Sequence, residues 1–369
     1  MNSSQAPAQR DGSRQLGIIE GKHERSFLGS EPVQLARYFF LLFILLGLTI
    51  LGDGLVDASN TSDDTDANTF GRLVIDEESG DVDLSSVRFG AAFNLAPLIS
   101  SQVELGLIQS DVQFQNLNLT LGKANTITMG KKKLVRGFST ATSSLFSSFV
   151  SRPTIISLTG GLEREFGIEG TVRKGRLLVQ PALFVSEDWS RTSKIIRAIF
   201  QGPEESNYFA HFGVSAVARS GGRQMNFASS SETLMGEWVW GSKNWYVASE
   251  AIWHNDGVSE VLGAYADIGV IFGGELTYDR SRGILKHRRV NSAFSNGGRG
   301  AIEIAFRQEA IQEKTPVAEN ATSLLSELSL IWYPSAMTRL IVGRRFSFKN
   351  RSSPLFNGAE TSVRLQLIY

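Results

Sequence analysis

Thr361 to Tyr369 reads TSVRLQLIY, and in an extended chain it puts Val363, Leu365, Leu367 and Tyr369 on one side and Ser362, Arg364 and Gln366 on the other, with Ile368 as the break. Successive side chains of a strand point to opposite faces, so one face of this segment suits lipid and the other water. Working back along the chain, Leu328, Leu330 and Trp332 alternate with Glu327, Ser329 and Ile331. Likewise Ile302, Ile304 and Phe306 alternate with Glu303, Ala305 and Arg307. From about Leu84 onward the sequence divides into alternating segments of about ten residues separated by Gly, Ser, Asn and Pro. A soluble sandwich, with its apolar face inside, and a membrane barrel, with its apolar face outside, share this periodicity. Aromatic placement and connection lengths favour the barrel. Trp240-Gly241-Ser242-Lys243-Asn244-Trp245 reads as a tight hairpin turn between tryptophans, whereas Tyr278 to Asn296 is a long, polar, basic connection. Short turns at one end, long loops at the other and interfacial girdles of Trp and Tyr are expected of such barrels. Trp238, Trp245, Trp253, Trp332 and Tyr333 are the girdle candidates. The fold expected is therefore all-β, a transmembrane antiparallel barrel spanning residues 84–369.

Composition fits and excludes several chemistries. The 369 residues include 36 Gly, 10% aromatics, four His and no Cys, which disfavours a disulfide scaffold, a Cys-based zinc site or thiol catalysis. Lys plus Arg equals Asp plus Glu at 37 each, so the basic excess of a nucleic-acid-binding domain is missing. His211, His254 and His287 lie in no Ser/His/Asp or metal-ligand pattern, and Gly273-Gly274 lacks the spacing of a phosphate loop. An enzyme is not expected, nor a metal or cofactor.

Tyr38 to Leu51 (YFFLLFILLGLTIL) is the one long apolar run, shorter than the roughly 20 residues a spanning helix needs. With Arg37 before it and Val56-Asp57-Ala58 behind it, it reads as a signal-peptide core with cleavage before Ser59. An uncleaved membrane anchor is the other reading. The segment before Arg37 exceeds an ordinary n-region, so either translation starts downstream or the extension leaves with the signal. Residues 59–83 are expected to be a polar leader with room for a first strand; Ser59 to Asn68 (SNTSDDTDAN) has too few apolar groups to build a core. Charge stays balanced without residues 1–58, so any anion preference must come from where basic side chains point.

Three segments in order resemble the phosphate-selective porin O and P family. They are Ala264 to Gly283 (AYADIGVIFGGELTYDRSRG), Gly300 to Arg307 (GAIEIAFR) and Leu330 to Pro334 (LIWYP). Ser86 to Leu105, with Arg88, is similar to an early hairpin of that family. Leu121-Gly122-Lys123 and Met129-Gly130-Lys131-Lys132-Lys133 are similar to a lysine-bearing strand, although the phenylalanine and proline usual beside the lysine are missing. A final aromatic on the apolar face of the last strand also resembles the signal recognised by barrel-assembly machinery. The resemblance implies about sixteen strands, a homotrimer, an outer-membrane location in contact with lipid and lipopolysaccharide, and a water-filled pore for small anions such as phosphate or polyphosphate. Leu84 to Tyr369 is long enough for sixteen strands of about 9–11 residues; fewer strands with longer loops fit equally well.

An anion pore needs fixed positive charge with weak, multipoint contacts, and arginine's fork suits phosphate. Alternation puts Arg307 and Arg364 on the polar face, with Arg88 and Arg345 on less clearly phased strands. Lumen arginines also commonly pair with carboxylates, here Glu303 or Glu327. The basic run Lys131, Lys132, Lys133 and Arg136, followed by Ser139 to Ser144 (STATSS), forms a constriction if it folds inward and a solvated turn if it does not; Lys133 best matches the family's lysine. Lys286, Arg288 and Arg289 are expected at a pore entrance or against lipopolysaccharide. A non-conducting structural or ligand-binding barrel is the competing reading.

Overall fold

The computed structural model describes residues 67–368, apart from 79–80, 109–110, 161–162, 204–206, 222–229, 287, 295–296, 315–320 and 350–358. The expected signal segment 1–58, His287 and Tyr369 thus lie outside the described residues. Sixteen strands close into an antiparallel barrel. They are β1 (Ala67–Glu78), β2 (Asp81–Ala96), β3 (Ile99–Ile108), β4 (Asp111–Gly122), β5 (Thr126–Lys133), β6 (Arg164–Lys174), β7 (Leu177–Val185), β8 (Arg191–Gln201), β9 (Tyr208–Gly221), β10 (Ser230–Ser242), β11 (Trp245–Asn255) and β12 (Glu260–Phe272), followed by β17 (Ala301–Lys314), β18 (Ala321–Ser335), β19 (Thr338–Lys349) and β20 (Ala359–Ile368). Between β12 and β17 lie four short strands: β13 (Gly274–Glu275), β14 (Tyr278–Asp279), β15 (Ile284–Leu285) and β16 (Arg289–Val290). The barrel takes in residues ahead of Leu84, because β1 begins at Ala67.

Each barrel strand pairs with the barrel strands before and after it, β12 with β17 included, and the ring shuts where β1 meets β20, from Arg72 opposite Ile368 to Glu78 opposite Ser362. Asp76 and Arg364 face one another at that seam, joined by two hydrogen bonds of 2.6 and 2.7 Å. The alternation read from the sequence is inside out relative to a soluble sheet. Ile302, Ile304 and Phe306 are exposed outward, while Glu303 and Arg307 on the same strand are buried inside. Trp238, Trp240 and Trp332 also face outward, and Trp240 and Trp245 meet edge to face at 4.8 Å across the turn at Lys243–Asn244. Tyr333 is a correction to the expected girdle. It is buried on the inner face, where its hydroxyl donates to Glu303 at 2.7 Å.

At one end of the barrel most connections are tight turns: 97–98, 123–125, 175–176, 243–244 and 336–337. The opposite end carries longer ones, 134–163 above all. The long basic connection 273–300 departs from the expected asymmetry, because it leaves β12 at the turn end. It is a hairpin of nested ladders, β13 with β16 and β14 with β15. Leu276 and Leu285 from this hairpin join Phe138 and Phe149 from loop 134–163 in one apolar cluster with Val239, Ile271, Ile331 and Ile341 of the wall. Two inserts from opposite ends therefore meet inside the barrel. A second cluster buries Ile155 and Ile156 of the loop against Met235, Ile252, Ile311 and Leu325.

The hairpin rejoins the wall at Gly300, whose φ of +76° is unfavourable for any residue with a Cβ. A Cβ there would also run into the Tyr333 carbonyl. Gly300→Val is expected to destabilise the barrel by about 1–3 kcal/mol, read as a lower temperature for the gel-mobility shift of the folded protein; an unchanged midpoint would refute this account.

Candidate functional site

The site is built on a loop that crosses the lumen. Between β5 and β6 the chain enters loop 134–163, which contains two short helices, α1 (Phe138–Ala141) and α2 (Thr154–Leu158). Backbone groups that the loop cannot pair internally are taken up by inward side chains of the β10–β12 and β17–β19 wall. The Ser139 amide donates to Glu250 at 3.1 Å and the Thr154 amide to Glu309 at 2.6 Å. Arg339 donates to the carbonyls of Ser147 and Ser144 at 2.6 and 2.7 Å, and Arg307 to that of Ser151 at 3.0 Å. Ser148 bonds to Glu303 and receives Arg288 at 3.0 Å. Carboxylates meeting amides and guanidiniums meeting carbonyls satisfy groups whose burial would otherwise cost stability.

Drawn to that side, the loop leaves a cavity of about 1360 Å³ along the opposite wall. Its lining runs from Gln113 and Glu187 near the loop end to Lys123 and Ala124 at the turn end. Twelve Lys and Arg residues line it against three Glu. Lys133, at the end of β5, lines its interior. The charged groups that act most on Lys133 are Arg152 of the loop, Arg164 of β6, Arg88 of β2 and Arg72 of β1. Arg88 has a carboxylate neighbour, Glu104, at 3.4 Å. By contrast, Arg72, Lys133, Arg152 and Arg164 form no ion pair among the described residues. Their fixed contacts are neutral oxygens. Arg72 donates to Ser144 at 3.1 Å, Arg152 to the Thr142 carbonyl at 2.7 Å, and Arg164 to the Gln115 carbonyl at 2.9 Å and Asn116 at 2.8 Å. Burial lowers the Arg152 guanidinium to about 10, which leaves it charged at neutral pH. Ser143 and Ser144 of the loop bring hydroxyls to the same cavity, whereas the Thr140 hydroxyl is buried and taken up by the Gly137 carbonyl at 3.0 Å.

Most of the residues read from the sequence reach this cavity. Lys131 ion-pairs with Glu187, Lys132 lies 2.6 Å from Glu169, Arg345 lies 3.2 Å from Glu327 and Arg364 holds Asp76; all four line the cavity with Arg88 and Lys133. Arg136 and Arg307 do not. Arg136 is fully buried and donates to the Thr159 carbonyl at 2.6 Å. Arg307 grips Asp267 at 2.7 and 2.8 Å, under the Phe149 ring. Lys286, Arg288 and Arg289 are likewise elsewhere. Arg288 is buried in a double contact with Glu303 at 2.9 and 3.1 Å, Lys286 is 3.0 Å from Asp279, and Arg289 is exposed at the turn end. Arg72, Arg152 and Arg164 escaped notice in the sequence. Arg72 precedes the region where alternation is clear, and Arg152 sits in a loop, where periodicity carries no information.

Among the described residues no three His, Asp or Glu could hold a metal ion. His211 sits buried between the Tyr278 hydroxyl, 2.5 Å from Nδ1, and Glu237, 3.1 Å from Nε2; His254 contacts Thr233 at 2.8 Å. Both histidines join structural elements.

No family model matches the sequence, and no curated protein is found similar to it. Solved structures do match. OmpT, an outer membrane protein of Vibrio cholerae, in its trimer form, superposes with a TM-score of 0.56 at 9% identity, over 83% of this chain and 100% of that one. The likeness is one of fold. OmpF of Salmonella typhi in complex with daunomycin gives 0.58 at 11% identity over 82% and 97%. The outer membrane channel DcaP of Acinetobacter baumannii gives 0.51 at 11% over 83% and 97%. The shared feature is a closed antiparallel barrel of the outer-membrane porin type, and it does not single out the phosphate-selective O and P family.

Proposed function

We propose that this chain is an outer-membrane channel through which small anions diffuse passively, phosphate or polyphosphate among them. The observation that carries the reading is the end-to-end cavity lined by twelve basic residues and three acidic ones. Like charges confined together repel, and a mobile anion relieves that repulsion without being held tightly. Guanidinium forks match the oxygens of phosphate, and the hydroxyls of Ser143 and Ser144 replace part of its hydration shell. The outward apolar surface with its tryptophans suits a bilayer bounded by lipid and lipopolysaccharide. Export through the signal segment and assembly as a homotrimer belong to the same reading; the OmpT trimer has this fold.

Single-channel recording of the purified protein in planar bilayers, with reversal potentials in a KCl gradient and phosphate then titrated in, tests it. Discrete anion-selective steps that phosphate blocks are expected. A folded barrel that conducts nothing would overturn the channel and favour the structural role, for which the two lumen inserts are the supporting feature.

A further inference from the structure

The loop-end insert is not alone in reaching the cavity. Ser281, Arg282 and Ile284, from the tip of the turn-end hairpin, also line it. That tip is rigidly held. Gly283 takes a φ of +65°, and its amide closes the turn on the Asp279 carbonyl at 2.8 Å, while Asp279 accepts the Ser281 amide at 2.9 Å. From the wall, Arg197 donates to the carbonyls of Arg282 and Gly283 at 3.2 and 3.5 Å, and Gln201 to that of Arg280 at 2.5 Å. Arg197 is itself fully buried and grips Glu237 at 2.7 and 3.1 Å. Tyr278 at the base of the tip stacks on Phe209 with centroids 4.9 Å apart. With its backbone clamped, Arg282 keeps an exposed side chain on the cavity that has no hydrogen bond or ion pair among the described residues.

A charge so placed has no fixed partner to neutralise it and a rigid base to keep it at one spot on the pathway. We propose that the hairpin tip is a second selectivity element, entering from the turn end, in which Arg282 screens ions between the Lys133 cluster and the turn-end mouth. The proposal rests on the channel reading and adds to it that selection occurs at two places, supplied by inserts of opposite origin. Its substrate class is the same small anions, and its distinctive property is asymmetry, because a charge nearer one mouth acts unequally on ions arriving from the two sides.

The test uses the full-length protein in planar bilayers with the salt gradient imposed in each direction. Arg282→Glu is compared with Arg289→Glu, a reversal at an exposed residue that does not line the cavity. Arg282→Glu is expected to lower the anion-to-cation permeability ratio about threefold or more in 0.1 M salt, with rectification, and the difference should shrink at 1 M, where screening shortens to about 3 Å. Because the native chain has no Cys, Arg282→Cys offers a version free of folding effects. An anionic thiosulfonate reagent added during recording should reduce anion selectivity within one already folded molecule. Selective wild-type channels in which Arg282→Glu behaves like Arg289→Glu, and labelled Arg282→Cys is unchanged, would overturn the second element and leave the channel standing. Wild-type protein that does not conduct would overturn both.

Discussion

Lys133→Glu combined with Arg152→Glu is expected to abolish anion preference. Four cations, Arg72, Lys133, Arg152 and Arg164, lack an ion-pair partner among the described residues, and the double reversal leaves two positive charges facing two negative ones. The local potential, not the net charge of the protein, sets which ions enter a narrow, low-dielectric path. Reversal potentials should move to the unselective value or beyond it, and phosphate block should weaken at least about tenfold, equivalent to about 1.4 kcal/mol. Each single reversal should produce part of the effect. Lys131→Glu should do less, since Lys131 already pairs with Glu187 at the rim. Unaltered selectivity in the double variant would remove this cluster from the pathway.

The second large effect concerns Arg307, an arginine that lies on the inner face yet does not line the cavity. Its guanidinium holds Asp267, donates to the Ser151 carbonyl and lies 4.0 Å from the centre of the Phe149 ring. Arg307→Ala strands a buried carboxylate and releases the loop at two points. Loss of one partner from a buried pair costs about 3–5 kcal/mol, so the heat-induced mobility shift should occur at a markedly lower temperature. Channels that survive should be noisier and larger, because the loop that narrows the lumen has lost its anchor. Arg307→Met with Asp267→Leu should recover most of the stability, since no charge is then left unpaired, while the noise persists with the Ser151 contact gone. A single variant as heat-resistant and quiet as the wild type would show that the loop is held by other means.

These two arginine environments mark how far local sequence carries. Arg307 and Arg364 were both placed on the inner face by alternation, and both are there. Alternation could not say that Arg307 would be consumed by Asp267, or that Arg364 would line the cavity while holding Asp76. The Asp76 contact joins residues 288 positions apart. Ile331 shows the same limit from the other side. It breaks the polar face of its strand, and in the structure it is fully buried among loop and hairpin side chains. A break in alternation was thus a sign that this sector of the lumen is filled, legible only once the fillers were known.

The sequence by itself determined the strands, their inside-out faces, the tryptophan turn and the basic run that opens the crossing loop, because a strand's two faces repeat every two residues and turns announce themselves over four or five. Tertiary structure alone decided that the basic connection after β12 enters the lumen from the turn end, that Arg288 is buried while Arg282 is free, and that Arg72, Arg152 and Arg164 gather around Lys133. The physical reason is that insertion and charge pairing depend on which walls the closing barrel brings face to face. That closure joins β1 to β20 across almost the whole described chain, beyond the reach of any local pattern.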